Sequence, residues 1–410
     1  MSIFSSAPNW LNPEIRELVH THRSDNVDET AYFAYHLDDL AHHLAQLQAQ
    51  DVIKLWFAVK ANPLSRIIQT LHQAGFNFDV ASTGELQQVL EQGVQPECIL
   101  NTGPAKSAEH FAHCLSKGVN TFVVESVNQL IWLERAAHAL NKSPNVLLRV
   151  QLQWSEGEKN PLGGNELTPF GLSENEWQSI CLSDFPSLNV CGLHIFQWGN
   201  MLSNEKMYSL WQQMVPPLVN LANQLGFSLD ILDLGGGLGI DYLGIGQTLS
   251  WPQIVSDLAK IKAEAGVKEL WLELGRYAVA QCGYYVVPVV DRKANYQTQQ
   301  LVLSAGINHL LRPAITNQPF PAVLARESKQ NESTFHVHGP LCTSMDKLGE
   351  LPLPDDIAVG DQLIFGYCGA YGFTESMPFF LCHQLAAEYV IEQNMLVEIR
   401  PAQPASSYLY

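Results

Sequence analysis

Lys60 closes an apolar run, Leu55-Trp56-Phe57-Ala58-Val59, and Ala61-Asn62-Pro63 follows at once. A primary amine at the carboxyl end of a buried strand can form a Schiff base with a carbonyl of a substrate or a cofactor, although a lysine there is more often a solvated edge charge. Glu273 follows Leu270-Trp271-Leu272, so it is at least half buried and needs a cationic or hydrogen-bonding partner. Arg276, three residues on, is the plain candidate. The other is a protonated pyridine nitrogen, which a carboxylate would keep charged as an electron sink. Gly235-Gly236-Gly237 follow Leu232-Asp233-Leu234. They make either a tight turn or a loop whose N–H groups approach an anion, as barrel loops do after the seventh and eighth strands. They lack the G-x-G-x-x-G spacing, and Asp233 precedes them, so a lone phosphate suits them better than a dinucleotide.

The elements that must carry these residues alternate in period. Short apolar runs at 55–61, 76–82, 98–103, 121–126, 146–152, 190–196, 229–235 and 269–275 are separated by segments with helical spacing, such as 84–92, 108–117, 127–140, 205–225 and 251–265. Eight such units predict a closed (β/α)8 barrel rather than an open sheet. Active sites in that architecture lie at the carboxyl ends of the strands, where Lys60, Asp79, Ser82, His194, Phe196, the glycines and Glu273-Leu274-Gly275-Arg276 fall. Amine, phosphate cradle and carboxylate together match the three handles of pyridoxal phosphate. After about residue 281 β-type runs dominate, which predicts a barrel over 30–280 and a β domain made of 1–29 and 281–410.

Bulk composition narrows the partners. The 410 residues are 46% hydrophobic and carry a formal charge of −18, which leaves no basic footprint for nucleic acid or anionic membrane surfaces. No signal-peptide pattern or spanning stretch is present, so the cytoplasm is the expected compartment. The eight cysteines form no C-x-x-C pair and no zinc spacing; no metal is expected, and most read as small buried hydrophobes.

Six segments, FAVKANP at 57–63, FDVASTGEL at 78–86, LDLGGGLG at 232–239, ELGRYAVA at 273–280, HGPLCTSMDKLG at 338–349 and GAYG at 369–372, resemble the ornithine/diaminopimelate decarboxylase family, the fold-type III pyridoxal-phosphate-dependent amino-acid decarboxylases. The similarity keeps its order from about residue 32 to 389. It implies an alanine-racemase-like barrel, a β-sandwich-like second domain, and a head-to-tail homodimer with shared active sites. It assigns Lys60 to the Schiff base, Gly235, Gly236, Gly237, Gly275 and Arg276 to the phosphate, and Glu273 to the pyridine nitrogen. Tyr371 would approach the phosphate, while Cys342, as proton donor, and Asp346 would come from the partner subunit.

Two departures bear on the site. Where the family has a ring-stacking histidine in G-x-x-F-H-x-G-S, this chain reads Gly192-Leu193-His194-Ile195-Phe196-Gln197-Trp198-Gly199-Asn200, which makes Phe196 the expected platform and His194 a neighbour on the substrate side. A phenyl ring stacks but supplies no proton. The family's acid after the motif cysteine is here Thr343, which offers a distal ammonium no full charge, so ornithine, lysine and diaminopimelate are weaker candidates. The G-P-L-C-T variant resembles the branch acting on citryl-linked siderophore intermediates and carrier-bound aminoacyl groups. Arg312, in Arg312-Pro313-Ala314-Ile315, is expected to hold a distal carboxylate or to make an interdomain ion pair.

Rival readings remain distinguishable. A racemase of related fold would place an arginine rather than an acid at the pyridine nitrogen. A homologue without catalysis would lack Lys60, Cys342 or Glu273, and all three are present. A barrel aldolase using Lys60 directly on a carbonyl substrate would need no cofactor.

Overall fold

The structure, a computed structural model, describes residues 8–25, 30–153, 159–160, 163–164, 168–244, 246 and 248–409. The chain divides into two compact units, one of residues 43–240 and 247–278, the other of 1–42, 241–246 and 279–410. No described helix is long and apolar enough to cross a membrane.

The first unit is a closed barrel of eight parallel strands: β1 (Lys54–Ala58), β2 (Asn77–Val80), β3 (Ile99–Asn101), β4 (Thr121–Val124), β5 (Asn145–Arg149), β6 (Asn189–His194), β7 (Ile231–Asp233) and β8 (Glu269–Leu274). Closure comes from β8 against β1, with Glu273 opposite Trp56 and Leu274 opposite Phe57. Helices follow most strands and begin where a serine can cap them: the hydroxyls of Ser82, Ser107, Ser126, Ser173 and Ser203 each accept from a backbone N–H in the first turn. Each cap fixes where the chain leaves the barrel mouth and turns into helix.

Inside the barrel, Trp56, Leu100, Val123, Leu147, Cys191, Ile231 and Trp271 form one apolar layer. Side chains alternate along a strand, so the residues two positions later face the same interior one layer higher. Two positions after Val123, Leu147, Ile231 and Trp271 come Glu125, Arg149, Asp233 and Glu273, while β2 adds Asp79 and β6, past an irregularity in its register with β5, adds His194; all six are buried. The barrel is thus plugged by hydrocarbon below and by ionisable groups above.

The second unit is built on a nine-stranded sheet whose main path runs through Lys347–Pro354, Glu332–His338, Thr298–Leu303, Gly283–Asn295, Tyr32–His36, Ala387–Glu392 and Met395–Arg400. Residues 32–36, placed in the barrel from the sequence, are a strand here, antiparallel to Gly283–Asn295 and parallel to Ala387–Glu392. All five residues are buried, so both faces of the sheet are covered at this strand. Leu11, just before helix Pro13–Asp25, and Ile15 and Val19 within it share a core with Tyr32, Ala34, Val286 and Ile364.

Candidate active site

Lys60 does not lie in β1. The strand stops at Ala58, and a single 3₁₀ turn, Val59–Ala61, presents the lysine at the barrel mouth. Its Nζ sits over the Phe196 ring, 5.7 Å from the centroid. Phe196 in turn abuts the glycine loop: a Cβ on Gly235 would fall 2.6 Å from Phe196 Cβ. Gly235 and Gly237 have φ of +62° and +105°, and a Cβ on Gly236 or Gly237 would strike the carbonyl oxygen of Glu273 or Trp198 at 2.2 or 2.5 Å. The tight-turn reading of the glycine run holds: it is too tightly packed on the ends of β6 and β8 for any side chain. The Asp233 carboxylate accepts from Gly235 N at 2.8 Å, and Glu273 N donates to Gly235 O at 2.7 Å. The N–H groups of Gly236 and Gly237 have no acceptor among the described residues, which leaves two donors for an anion.

Glu273 is 8% exposed, and its donor is His194, whose Nε2 lies 3.1 Å from Oε1. Arg276 donates to Asn200 Oδ1 at 3.3 Å. His194 is thus a buried partner of the acid and not a group on the substrate side, because its ring lies on the interior face of β6 at 1% exposure. Burial pushes the imidazole down and keeps it neutral, against the pull of Glu273. Burial would raise Glu273, but His194, Lys60 and Arg149 outweigh it and hold the carboxyl below its ordinary range. Asp79 and Asp233 move the other way: burial and the charge of Glu273 push both well up. Asp79 accepts from Thr102 Oγ1 at 2.6 Å, and Asp233 Oδ2 is buried without a hydrogen bond. Burial and mutual repulsion thus favour the charge on Glu273 over one on Asp79 or Asp233.

His194, Asp233 and Glu273 bring one nitrogen and two oxygens within 4.8 Å of each other. The His194 and Gly235 hydrogen bonds already engage these side chains, and the anion among them suits a protonated ring nitrogen. With Lys60, Phe196 and the open Gly236 and Gly237 N–H groups, the residues fit pyridoxal phosphate at all three of its handles.

Three members of the charged layer went unnoticed in the sequence. Arg149 Nη1 pairs with Glu125 at 3.2 Å, and the Lys106 ammonium donates to Val123 O. Arg149 and Glu125 had a signal, a charge at the end of an apolar run. Lys106 lies in a loop and had none.

In the second unit, Cys342 is exposed on the 339–346 loop, beside Thr343. Asp346, expected at the substrate, is instead the fastener of that loop: its two oxygens accept from Ile307 N and Leu341 N, each at 2.8 Å, and it is 2% exposed. Both oxygens are consumed by backbone. Arg312 meets neither expectation: its Nε donates to Glu375 at 2.8 Å, a second guanidinium nitrogen pairs with the other carboxylate oxygen, and its planar head lies 3.9 Å over the Tyr371 ring. The pair is internal to this unit, so the fork is already filled. Tyr371 itself has φ of +54°.

Residues 37–280 match the family model described as pyridoxal-dependent decarboxylase, pyridoxal binding domain. The chain belongs to this family. Pyridoxal phosphate is its cofactor and amino-acid decarboxylation its reaction. Over 86% of its length it is 28% identical to 2-((L-alanin-3-ylcarbamoyl)methyl)-2-hydroxybutanedioate decarboxylase of Staphylococcus aureus, of which 92% is covered. An L-glutamyl acyl-carrier-protein decarboxylase of Niallia circulans is 26% identical, with 90% of each chain covered. The crystal structure of Helicobacter pylori diaminopimelate decarboxylase with L-lysine superposes with a TM-score of 0.84 at 22% identity, over 94% of this chain and 98% of that one, a likeness of fold.

Proposed function

We propose that this family member removes the α-carboxylate of a conjugated amino acid, one whose distal amine is capped, such as a citryl-linked siderophore intermediate. The observation that carries the reading is the 339–346 loop. Position 343 after the motif cysteine is a neutral threonine, and Asp346 spends both oxygens on backbone N–H groups, so the loop offers no free anion to a distal ammonium. The Staphylococcus aureus and Niallia circulans relatives, whose names specify conjugated substrates, support it.

Pyridoxal phosphate, when bound, supplies the sink for the electron pair left as carbon dioxide departs. Lys60 Nζ binds it and gives way to the substrate amine, accepting and returning a proton at Nζ. Glu273, held anionic by His194, keeps a proton on the ring nitrogen. Phe196 orients the ring without exchanging protons, and the Gly236 and Gly237 N–H groups hold the phosphate, with Arg276 and the Gly275 turn beside them. Cys342 Sγ, from the partner subunit of a homodimer, gives the proton that replaces the carboxylate, and Tyr371 reaches the phosphate.

Carbon dioxide release from ornithine, lysine, diaminopimelate, and citryl- or carrier-linked amino acids tests the substrate. Turnover confined to the conjugates is expected, and strong turnover of ornithine or lysine refutes the argument from Thr343. Borohydride should bleach the yellow protein and leave a pyridoxyl group on Lys60. Mixing Lys60→Ala with Cys342→Ala should restore about a quarter of the activity through mixed dimers with one intact site; no recovery would place both groups in one subunit.

A further inference from the structure

Asp79, Asp233 and Glu273 are three buried carboxyls of the barrel mouth; the cations around them are Lys60, Lys106 and Arg149, of which Arg149 already pairs with a fourth carboxyl, Glu125. Three negative charges so close in a dry interior are not simultaneously affordable, so something must decide which acid keeps its charge. A carboxylate accepts and cannot donate, so the 3.1 Å contact with Glu273 Oε1 puts the proton on His194 Nε2. His194 Nδ1 is buried without a hydrogen bond, as the neutral tautomer allows. Asp79 has a hydroxyl donor in Thr102, and Asp233 a backbone donor in Gly235; neither has a ring N–H.

We propose that His194 is a positioning residue for the reaction: its Nε2–H selects Glu273, rather than Asp79 or Asp233, as the anion of the cluster and aims it at the cofactor's ring nitrogen. This rests on the assignment of Glu273 to that nitrogen. The placement follows from strand geometry. Gly192, two residues earlier on the same face of β6, sits so close to Leu147 and Ile231 that a Cβ would lie 2.7 Å from Ile231 O, and the missing side chain lets β6 approach β7. His194 is thereby pressed into the interior beside Glu273. Without its donor, the proton held by Asp79 or Asp233 transfers to Glu273, and the ring nitrogen loses its counter-charge. Besides those acids, the charges bearing on His194 are Glu125 and Arg149.

Amide variants separate this from a packing role, because glutamine places its nitrogen where Nε2 lies and asparagine where Nδ1 lies. His194→Gln should keep activity within about threefold, whereas His194→Asn and His194→Phe should lower kcat about 10- to 100-fold, the worth of one charge-assisted hydrogen bond. The acid limb of the kcat profile should move to higher pH in the Phe and Asn variants. In apoprotein, the infrared carboxylate band that Glu273→Gln removes should convert to a protonated-acid band in His194→Phe and stay in His194→Gln. An unchanged band and acid limb in His194→Phe, or equal behaviour of the two amide variants, overturns the proposal. Failure of borohydride to label Lys60 would instead remove the assignment beneath it.

Discussion

The Lys60 ammonium faces the Phe196 ring with Nζ 5.7 Å from its centroid. If Lys60 tethers the cofactor as proposed, Phe196 would be its platform, a hydrocarbon ring that stacks without supplying a proton. Phe196→Leu should weaken pyridoxal phosphate binding by about 2- to 12-fold, the usual worth of an aromatic pair beyond its area. Absorbance titration of apoprotein measures it, and unchanged affinity would remove Phe196 as the platform.

Gly236 and Gly244 make a matched pair. A Cβ at Gly236 would meet Glu273 O at 2.2 Å, while Gly244, with φ of +66°, has nothing within 4 Å. Gly244→Ala should cost about 1 kcal/mol from its left-handed backbone alone. Gly236→Ala should cost about 3 kcal/mol and release cofactor, because the strand carrying Glu273 must shift. Denaturant unfolding and cofactor content after gel filtration check both.

Asp346→Ala should cost about 2–5 kcal/mol, since it strands the Ile307 and Leu341 N–H groups in the interior. Activity should fall further than stability explains, because the same carboxylate holds the loop bearing Cys342. Unfolding curves alongside kcat separate these effects; a stable, active variant would mean the loop needs no fastener.

Lys106 is the pH-sensitive member of the barrel mouth. Burial lowers it to about 7, with Glu125 pulling the other way. The unfolded chain keeps this proton until about pH 10.4, so between the two values the unfolded state binds more protons and this group makes stability rise with pH. At and below pH 7 the full burial penalty applies. Lys106→Met should therefore be more stable than wild type at pH 6, with the advantage shrinking by pH 10. Denaturant midpoints at pH 6, 8 and 10 test the trend, and a constant difference would contradict it.

Much of the barrel was legible in the sequence because burial is written there as period. The runs at 121–126 and 269–275 became strands Thr121–Val124 and Glu269–Leu274, and the segment 127–140 became a helix with those bounds. Lys60, Phe196 and the glycines were legible too, since strand ends are where a barrel exposes chemistry. Strand Lys347–Pro354 escaped notice because its glycine and two prolines read as turns, although it pairs along Glu332–His338. Residues 32–36 fall inside the barrel bounds of 30–280 read from the sequence but pair in the second unit, because a buried run does not announce which sheet it joins.

By itself, the order of residues determined that an amine, an acid and a glycine loop would stand at the ends of successive strands. Only the tertiary structure decided that Glu273 takes its hydrogen bond from His194, that Asp346 spends itself on its own loop, and that Arg312 is filled by Glu375. Periodicity reports whether a side chain is buried, whereas a partner depends on register between strands far apart in the chain, and charges pair by distance in space.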